Sequence, residues 1–396
     1  MAFDFLKRRG AQDVAPEAKA SATGPVISYH GAARVAWSAR DTVSLTRTGF
    51  AGNPVGFRAV KLIAEAAAAV PLVLQDASRR FDTHPILALL AAPNSAQGGP
   101  EFLESLFGQL LLSGDAYVEA VSGEIGAPHE LHVLRSDRMR VVPGNDGWPI
   151  AYEYAVGARK ARFEVGASIT PICHIKSFHP QDDHYGLSPM QAAATALDVH
   201  NSASRWSKAL LDNAARPSGA MVYRGTDGQG ALSEEQYRRL QDEMEAYHQG
   251  AKNAGRPMLL EGGLDWKPMG FSPSDMEFQK TKEAAAREIA IAFGVPPMLL
   301  GIPGDATYAN YQEANRAFYR QVVVPLAGKV AGKLGAWLAG YTGESVEVKP
   351  DLDQVAALAV ERDAQWSRVA GADFLSVDEK RALLGLPPLS DEVRGG

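Results

Sequence analysis

The chain has 396 residues, 46% of them hydrophobic and 22% charged, enough for two or three domains with a sizeable core. Its net charge of −6 excludes a global basic field that would gather nucleic acid, so any contact with DNA has to be local or deliberately weak. Cys173 is the only cysteine, which excludes an internal disulfide and a cysteine-cluster metal site.

Residues 1–25 are rich in Ala, Lys, Glu and Ser, lack periodicity, and are expected to form a mobile arm. The apolar residues of Ala2–Leu6 precede Lys7, Arg8 and Arg9, the wrong order and too short for a secretory signal. No apolar run approaches the roughly 20 residues of a membrane helix. The expectation is a protein made in the cytoplasm, with no membrane contact.

Asn53-Pro54 opens a helix through Phe57, Val60, Ile63 and Ala67. Pro71 ends it, and Leu72-Val73-Leu74 reads as a strand. His84-Pro85 begins a short helix to Leu90. Pro100-Glu101 begins another, with Phe102, Leu106, Leu110 and Gly114 four apart. From Tyr117 to Phe178 the period changes to two. Strands are expected at Ala116–Val121, Glu130–Leu134, Met139–Val142, Ile150–Val156, Ala161–Val165 and Ile172–Phe178, separated by Gly, Pro, Asn and Asp. Residues 26–185 therefore read as an α+β domain.

Ser188 caps a helix from Pro189 to about Asn213. A βαββ unit comes next within 216–271: strand Ala220–Tyr223, helix Ser233–His248, and strands Met258–Glu261 and Leu264–Pro268 joined at Gly262-Gly263. It lies between two helices, as an insertion would. The second of these helices starts at Ser272-Pro273-Ser274-Asp275, with a cap, a first-turn proline and an early acid. Gly294 and Pro296-Pro297 end it. A longer helix is expected from Asn310, with Glu313 as capping-box partner. Its apolar stripe is Phe318, Val322, Leu326, Val330, Leu334 and Leu338. Pro325 lies inside this pattern and cannot donate to the Gln321 carbonyl, so a kink is expected there. Helices at Asp353–Val369 and Ser376–Leu384 close the chain, and Gly385-Leu386-Pro387-Pro388 echoes Gly294-Val295-Pro296-Pro297.

Catalytic motifs are not found. Gly328-Lys329 and Gly332-Lys333 lack the Ser or Thr and the preceding strand of a phosphate loop; glycines four apart on a helix read as close-packing points. Gly186-Leu187-Ser188-Pro189-Met190 departs from the nucleophile elbow at its last position. His174, His179, Asp182, Asp183 and His184 fit no standard ligand spacing and read as solvated loop residues. No catalytic residue, metal or cofactor is expected. The basic residues Lys280, Lys282 and Arg287, with Lys329 and Lys333, read as an ordinary solvated face unless a ring repeats them around an axis.

Several short words, in this order, resemble the portal proteins of long-tailed bacteriophages. They include Val60-Lys61-Leu62-Ile63-Ala64-Glu65, Val70-Pro71-Leu72, His84-Pro85, Pro93-Asn94, Leu111-Leu112-Ser113-Gly114-Asp115-Ala116-Tyr117 and Leu134-Arg135-Ser136-Asp137-Arg138. The more specific ones are Gly186-Leu187-Ser188-Pro189, Asn213-Ala214-Ala215-Arg216-Pro217-Ser218-Gly219, Leu260-Glu261-Gly262-Gly263, Ala292-Phe293-Gly294-Val295-Pro296-Pro297 and Leu383-Leu384-Gly385-Leu386-Pro387-Pro388. Gene transfer agents, phage-like particles encoded in some bacterial chromosomes, carry the same kind of protein.

The resemblance implies an α+β portal fold. Residues 1–25 would be a flexible arm, 26–185 a wing, 186–215 and 272–294 the two stem helices, and 216–271 an inserted βαββ clip. Residues 295–310 would form the tunnel-loop region, 311–349 the long kinked wing helix and following strand, and 350–396 a small helical crown. It implies a ring of about twelve subunits at one capsid vertex, through which double-stranded DNA passes whatever its sequence. The implied partners are a large terminase, a head-tail adaptor and the major capsid protein. Assembly would take place in the bacterial host cytoplasm, and the mature protein would sit in the particle. Lys280, Lys282, Arg287, Asp305, Thr307 and Asn310 are then candidate channel residues. Tyr237, Arg238, Gln241 and Glu245 on the clip helix are candidate docking residues. The competing readings are a hydrolase using the His174–His184 region and an adaptor without a channel.

Overall fold

The computed structural model describes residues 37–122, 128–166, 169–212, 219–223, 264–268, 273–304 and 307–389, together with 234, 235 and 238. The expected arm lies outside the described residues, as do strand Met258–Glu261 and the Gly262-Gly263 turn.

The Pro54–Ala68 helix starts where expected. The Asn53 side chain accepts from the N–H groups of Val55 and Gly56 at 3.0 and 2.9 Å. This helix packs on Gly99–Ser113, with Ile63, Phe102 and Leu106 fully buried between them. Each such side chain contributes about 2 kcal/mol by burial. The Lys61–Glu104 pair at the rim, 2.7 Å apart and half exposed, contributes under about 1 kcal/mol, so the apolar stripe sets the pairing. Phe57, expected on the apolar face, is instead largely exposed and rests on the Phe50 ring at 5.0 Å.

Among the described residues the strands form four small antiparallel sheets. Leu72–Gln75 lies between Arg80–Phe81 and Glu347–Pro350, so the strand after the longest helix returns to pair with the first described strand. Asp115–Ser122 lies between Pro128–Leu134 and Ile172–Lys176. Met139–Pro143, Pro149–Val156 and Arg159–Glu164 form a meander. Gly219–Tyr223 pairs with Leu264–Pro268, which brings together the two ends of the segment expected as an insertion.

Two helices, Ala194–Asp212 and Pro273–Ala292, run together, with Trp206 stacked on Phe278 at 4.2 Å. The first of these does not begin at Ser188. Ser188 caps a single turn, Pro189–Ala192, by accepting from the Gln191 N–H at 2.9 Å, and the helix restarts at Ala194.

The longest helical run, Tyr308–Thr342, buries Phe318, Val330, Leu334 and Leu338 in the core and leaves Val322 and Leu326 half-buried. By length and composition it could cross a membrane, which the expectation of no such run overlooked. Here that stripe is packed among the strands and helices of the core. Thr307, not Asn310, is its cap: the Thr307 hydroxyl accepts from the Asn310 N–H at 3.2 Å. Glu313 pairs with Arg316 at 3.0 Å and closes no capping box. Pro325 does not stand alone in an α-helix. A π segment, Tyr319–Val323, precedes it, and the Val324 N–H reaches the Tyr319 carbonyl, five residues back. Pro325 then takes the first turn of the next α segment, where a missing N–H is tolerated.

Close packing on this helix uses a different glycine from those expected. A Cβ at Gly332 would meet nothing within 4 Å, and one at Gly328 only Pro350 at 3.9 Å. At Gly335 it would lie 2.9 Å from both the Cβ and the backbone N of Val348.

The helix expected from Asp353 begins only at Ala359. Two 3-10 turns precede it. Val355 is buried there in an extended conformation, and the Asp351 carboxylate accepts from the Asp353 N–H and the Gln354 side-chain amide.

Candidate functional site

The candidate channel residues sit where the Pro273–Ala292 helix turns into the longest helix. Gly294 ends the first helix at φ +67°, with Val295 N–H on the Ala290 carbonyl and Gly294 N–H on the Ile291 carbonyl, both at 2.9 Å. This is the left-handed cap expected for Gly294. The cap recurs at Gly385, where Leu386 N–H reaches Arg381 at 2.9 Å and Gly385 N–H reaches Ala382 at 3.0 Å. Ala285, Ala286, Ile289 and Ala290 bury one side of the helix, which leaves Lys280 and Arg287 exposed.

The three basic residues have different surroundings. Lys280 is exposed on the helix surface. Lys282 is half-buried and close enough to His200 for its charge to disfavour the imidazolium. Arg287 donates to the Pro303 carbonyl and so ties the helix to its own loop. Asp305 lies outside the described residues. Thr307 and Asn310 are joined to each other in the first helical turn, so neither is a free loop tip. Behind them is a cavity of about 270 Å³, lined by Arg287, Pro296, Ile302, Pro303, Asn310 and Ala314. Of the candidate docking residues, Arg238 is helical and pairs with Glu234 at 3.2 Å, both exposed. Tyr237, Gln241 and Glu245 lie outside the described residues.

A buried polar group at the base of the Ala194–Asp212 helix was not singled out from the sequence. Because Asn53 Oδ1 takes two helix N–H groups, its Nδ2 must face the other way. Nδ2 lies 3.1 Å from His200 Nδ1 and donates to Asn201 Oδ1 at 2.9 Å. His200 Nδ1 is therefore an acceptor and the ring is neutral, an assignment made from the bonding pattern. Burial first, and Lys282 second, hold the His200 pKa below its ordinary value. Asn201 in turn donates to the Thr48 carbonyl at 2.9 Å. Asp198 accepts from the Ser38 N–H and hydroxyl, at 3.0 and 2.6 Å. The only sequence signal was the Asn53 cap.

The His174–His184 region is not the solvated loop expected at its first member. His174 is only 10% exposed at its side chain, stacked on Tyr117 at 4.3 Å, with Nε2 2.8 Å from Asp115 Oδ1. Asp115 also accepts from the Gly186 N–H at 2.9 and 3.0 Å. Asp182 accepts from the N–H groups of His184 and Tyr185 at 2.8 and 2.9 Å, and His179 Nδ1 accepts from Gln181 at 3.1 Å. The nearby hydroxyls of Ser113 and Ser136 both donate to the Asp115 carbonyl, at 2.7 and 2.6 Å, rather than standing as nucleophiles beside the imidazole. Among the described residues, no group of three or more His, Cys, Asp and Glu side chains could hold a metal ion. Cys173 is buried and its thiol is pushed up to about 12 by that burial, so it is unreactive.

Known proteins resemble this chain along most of its length. The family model described as "Phage portal protein" matches residues 54–385. A protein of Rickettsia bellii is 40% identical over 343 residues, which cover 86% of this chain and 88% of that one. The "Probable portal protein" of Streptomyces phage phiC31 is 28% identical over 354 residues, 85% of this chain and 75% of that one. Among solved structures, a chain in the neck of an empty gene transfer agent particle, computed with C6 symmetry, is 71% identical with a TM-score of 0.75. It covers 91% of this chain and 97% of its own length. A chain in the neck of the native particle, computed with C12 symmetry, is 70% identical with a TM-score of 0.74 and the same coverage. The chain belongs to the phage portal protein family.

Proposed function

We propose that this chain is the portal subunit of a phage-like particle, and that copies of it form a ring at one capsid vertex. Double-stranded DNA would enter and leave through the ring. The observation that carries this reading is the 71% identity over 91% of the chain to a protein in the neck of a gene transfer agent particle. The symmetry of those neck reconstructions, sixfold and twelvefold, supports a ring of about twelve subunits.

In this reading residues 26–185 and 311–349 form the wing, and 186–215 with 272–294 the stem. Residues 216–271 form the clip, where the terminase and later a head-tail adaptor would dock, with Tyr237, Arg238, Gln241 and Glu245 as contact residues. Residues 350–396 form the crown inside the capsid, near the major capsid protein. The ring would assemble in the host cytoplasm. It would perform no catalysis of its own, because hydrolysis of nucleoside triphosphate belongs to the separate motor. A net charge of −6 suits a channel that DNA slides through, since each neutralised phosphate adds salt-dependent affinity. Lys280, with its exposed side chain, is the basic residue best placed to face a bore, whereas Arg287 serves its own loop. Base readout has no place in such a channel.

The test is to remove the protein from particle-producing cells and measure nuclease-protected DNA. The expected result is capsids without packaged DNA, restored by the wild-type chain. Normal DNA-filled particles in its absence would reject the reading.

A further inference from the structure

A pocket of about 430 Å³ opens beside the part-buried His174–Asp115 pair. Its walls include Asp41, Asp115, Tyr117, Asp137, Arg140 and Asp182. Arg135 holds Asp137 in two bonds, at 2.9 and 2.6 Å, so four carboxylates against Arg135 and Arg140 leave a surplus of two negative charges. Tyr117 is completely buried, yet its hydroxyl has no hydrogen-bond partner among the described residues. Burial, then the nearby Asp115 carboxylate, hold that phenol far above its usual pKa, so it remains a neutral hydroxyl. Asp182 engages Oδ1 with local N–H groups, and among the described residues no bond to its Oδ2 is formed. An acidic pocket with an unpartnered buried hydroxyl calls for a cationic group.

The same chain carries that group on the other side of one sheet. Met139 and Arg140, at the start of the Met139–Pro143 strand, line the pocket. The Arg159–Glu164 strand is the opposite edge of this three-stranded meander, roughly 10 Å away. Arg159 and Lys160 are exposed there, in register with Val156 and Ala155, close to the level at which Met139 pairs with Tyr154. Neither forms an ion pair among the described residues, whereas their neighbour Arg162 binds Glu153 and Glu164. A head-to-tail contact pairs two different surface patches, because each subunit offers a different face to each neighbour.

We propose that the acidic pocket beside Tyr117 receives Arg159 and Lys160 of a second copy of this chain, forming a repeated contact between neighbouring subunits. The proposal rests on the ring reading above. Charges at this contact fix register and partner choice and weaken with salt.

The direct test is cysteine cross-linking in assembled full-length rings. Lys160→Cys with Asp137→Cys in the same chain should give an oxidation-dependent ladder of covalent multimers, while each single variant gives none; native Cys173 is buried and stays silent. Arg159→Glu with Lys160→Glu should raise the protein concentration for half-maximal assembly ~10-fold at low salt, and less at high salt. Tyr117→Phe removes a hydroxyl with no partner among the described residues, so the isolated subunit should melt no lower than wild type while the ring falls apart at lower salt. Rings that form normally, give no ladder, and ignore both charge reversal and Tyr117→Phe would overturn this contact and leave the ring reading standing. A wild-type protein that forms no ring would overturn both.

Discussion

Arg287 and Pro303 are sixteen residues apart, and the guanidinium of the first donates to the carbonyl of the second. The bond crosses the turn from the Pro273–Ala292 helix to the loop before Tyr308. Pro303 has no N–H of its own and the loop contains Gly301 and Gly304, so few local bonds hold it. Arg287→Ala should speed amide exchange in residues 301–304 by ~5-fold or more, with little change in melting temperature. Arg287→Lys should recover part of the protection, because an ammonium still reaches as a single donor. Equal exchange in wild type and both variants would show that the loop is held by something else.

Gly335→Ala should be the most costly glycine substitution on the longest helix. Its new methyl would collide with the Val348 backbone, which is fixed by pairing with Leu74. A loss of about 1–3 kcal/mol is expected from overpacking. Gly332→Ala fills open space in the same helix and should stabilise by up to about 1 kcal/mol. Denaturant titration of both variants checks the pair; similar effects of the same sign would contradict the packing.

His200 gives the protein an acid-sensitive element. Its folded pKa lies below the ordinary value, so the unfolded chain binds the proton first as pH falls. Stability should therefore be highest above about pH 6.5 and decline as pH drops below it, through the window that ends at the lowered folded pKa. Protonation at Nδ1 also opposes the bond from Asn53, which caps the Pro54–Ala68 helix. His200→Gln should flatten the slope of melting temperature against pH between about 6.5 and 5. An unchanged slope would assign the acid sensitivity to other groups.

Much of this architecture was legible because it is local. Asn53, Ser188 and Ser376 announce helix starts by side-chain caps, and Gly294 and Gly385 announce ends. The strands between 115 and 176 follow from alternation and differ from expectation by only a few residues at their ends. The long-range pairings were not legible. Asp115 meets His174 across fifty-nine residues and Asn53 meets His200 across 147, so no periodicity reports them. The close packing assigned to Gly328 and Gly332 belongs to Gly335, because only the fold determines which helical face meets Val348. The functional reading came from ordered family words, since the residues proposed for a channel carry no chemistry that would single them out.

Pro325 marks the junction where a π turn becomes an α-helix. Pro325→Ala restores the missing donor, so the Tyr319–Val323 segment should relax to α-helical bonding and rotate the Tyr308–Phe318 segment relative to Val324–Thr342. A structure of the variant checks this directly. Retention of the Val324-to-Tyr319 bond would mean that packing, not the proline, imposes the π turn. Packaged DNA should fall more than melting temperature does.

Copies of this chain should close into a ring around a channel. Electron cryomicroscopy of the purified full-length protein, viewed down the symmetry axis, tests it most directly. Closed rings of about twelve subunits are expected, with an open centre wide enough for a DNA duplex. A monodisperse monomer at high concentration in several salts, or a closed assembly with no central opening, would contradict it.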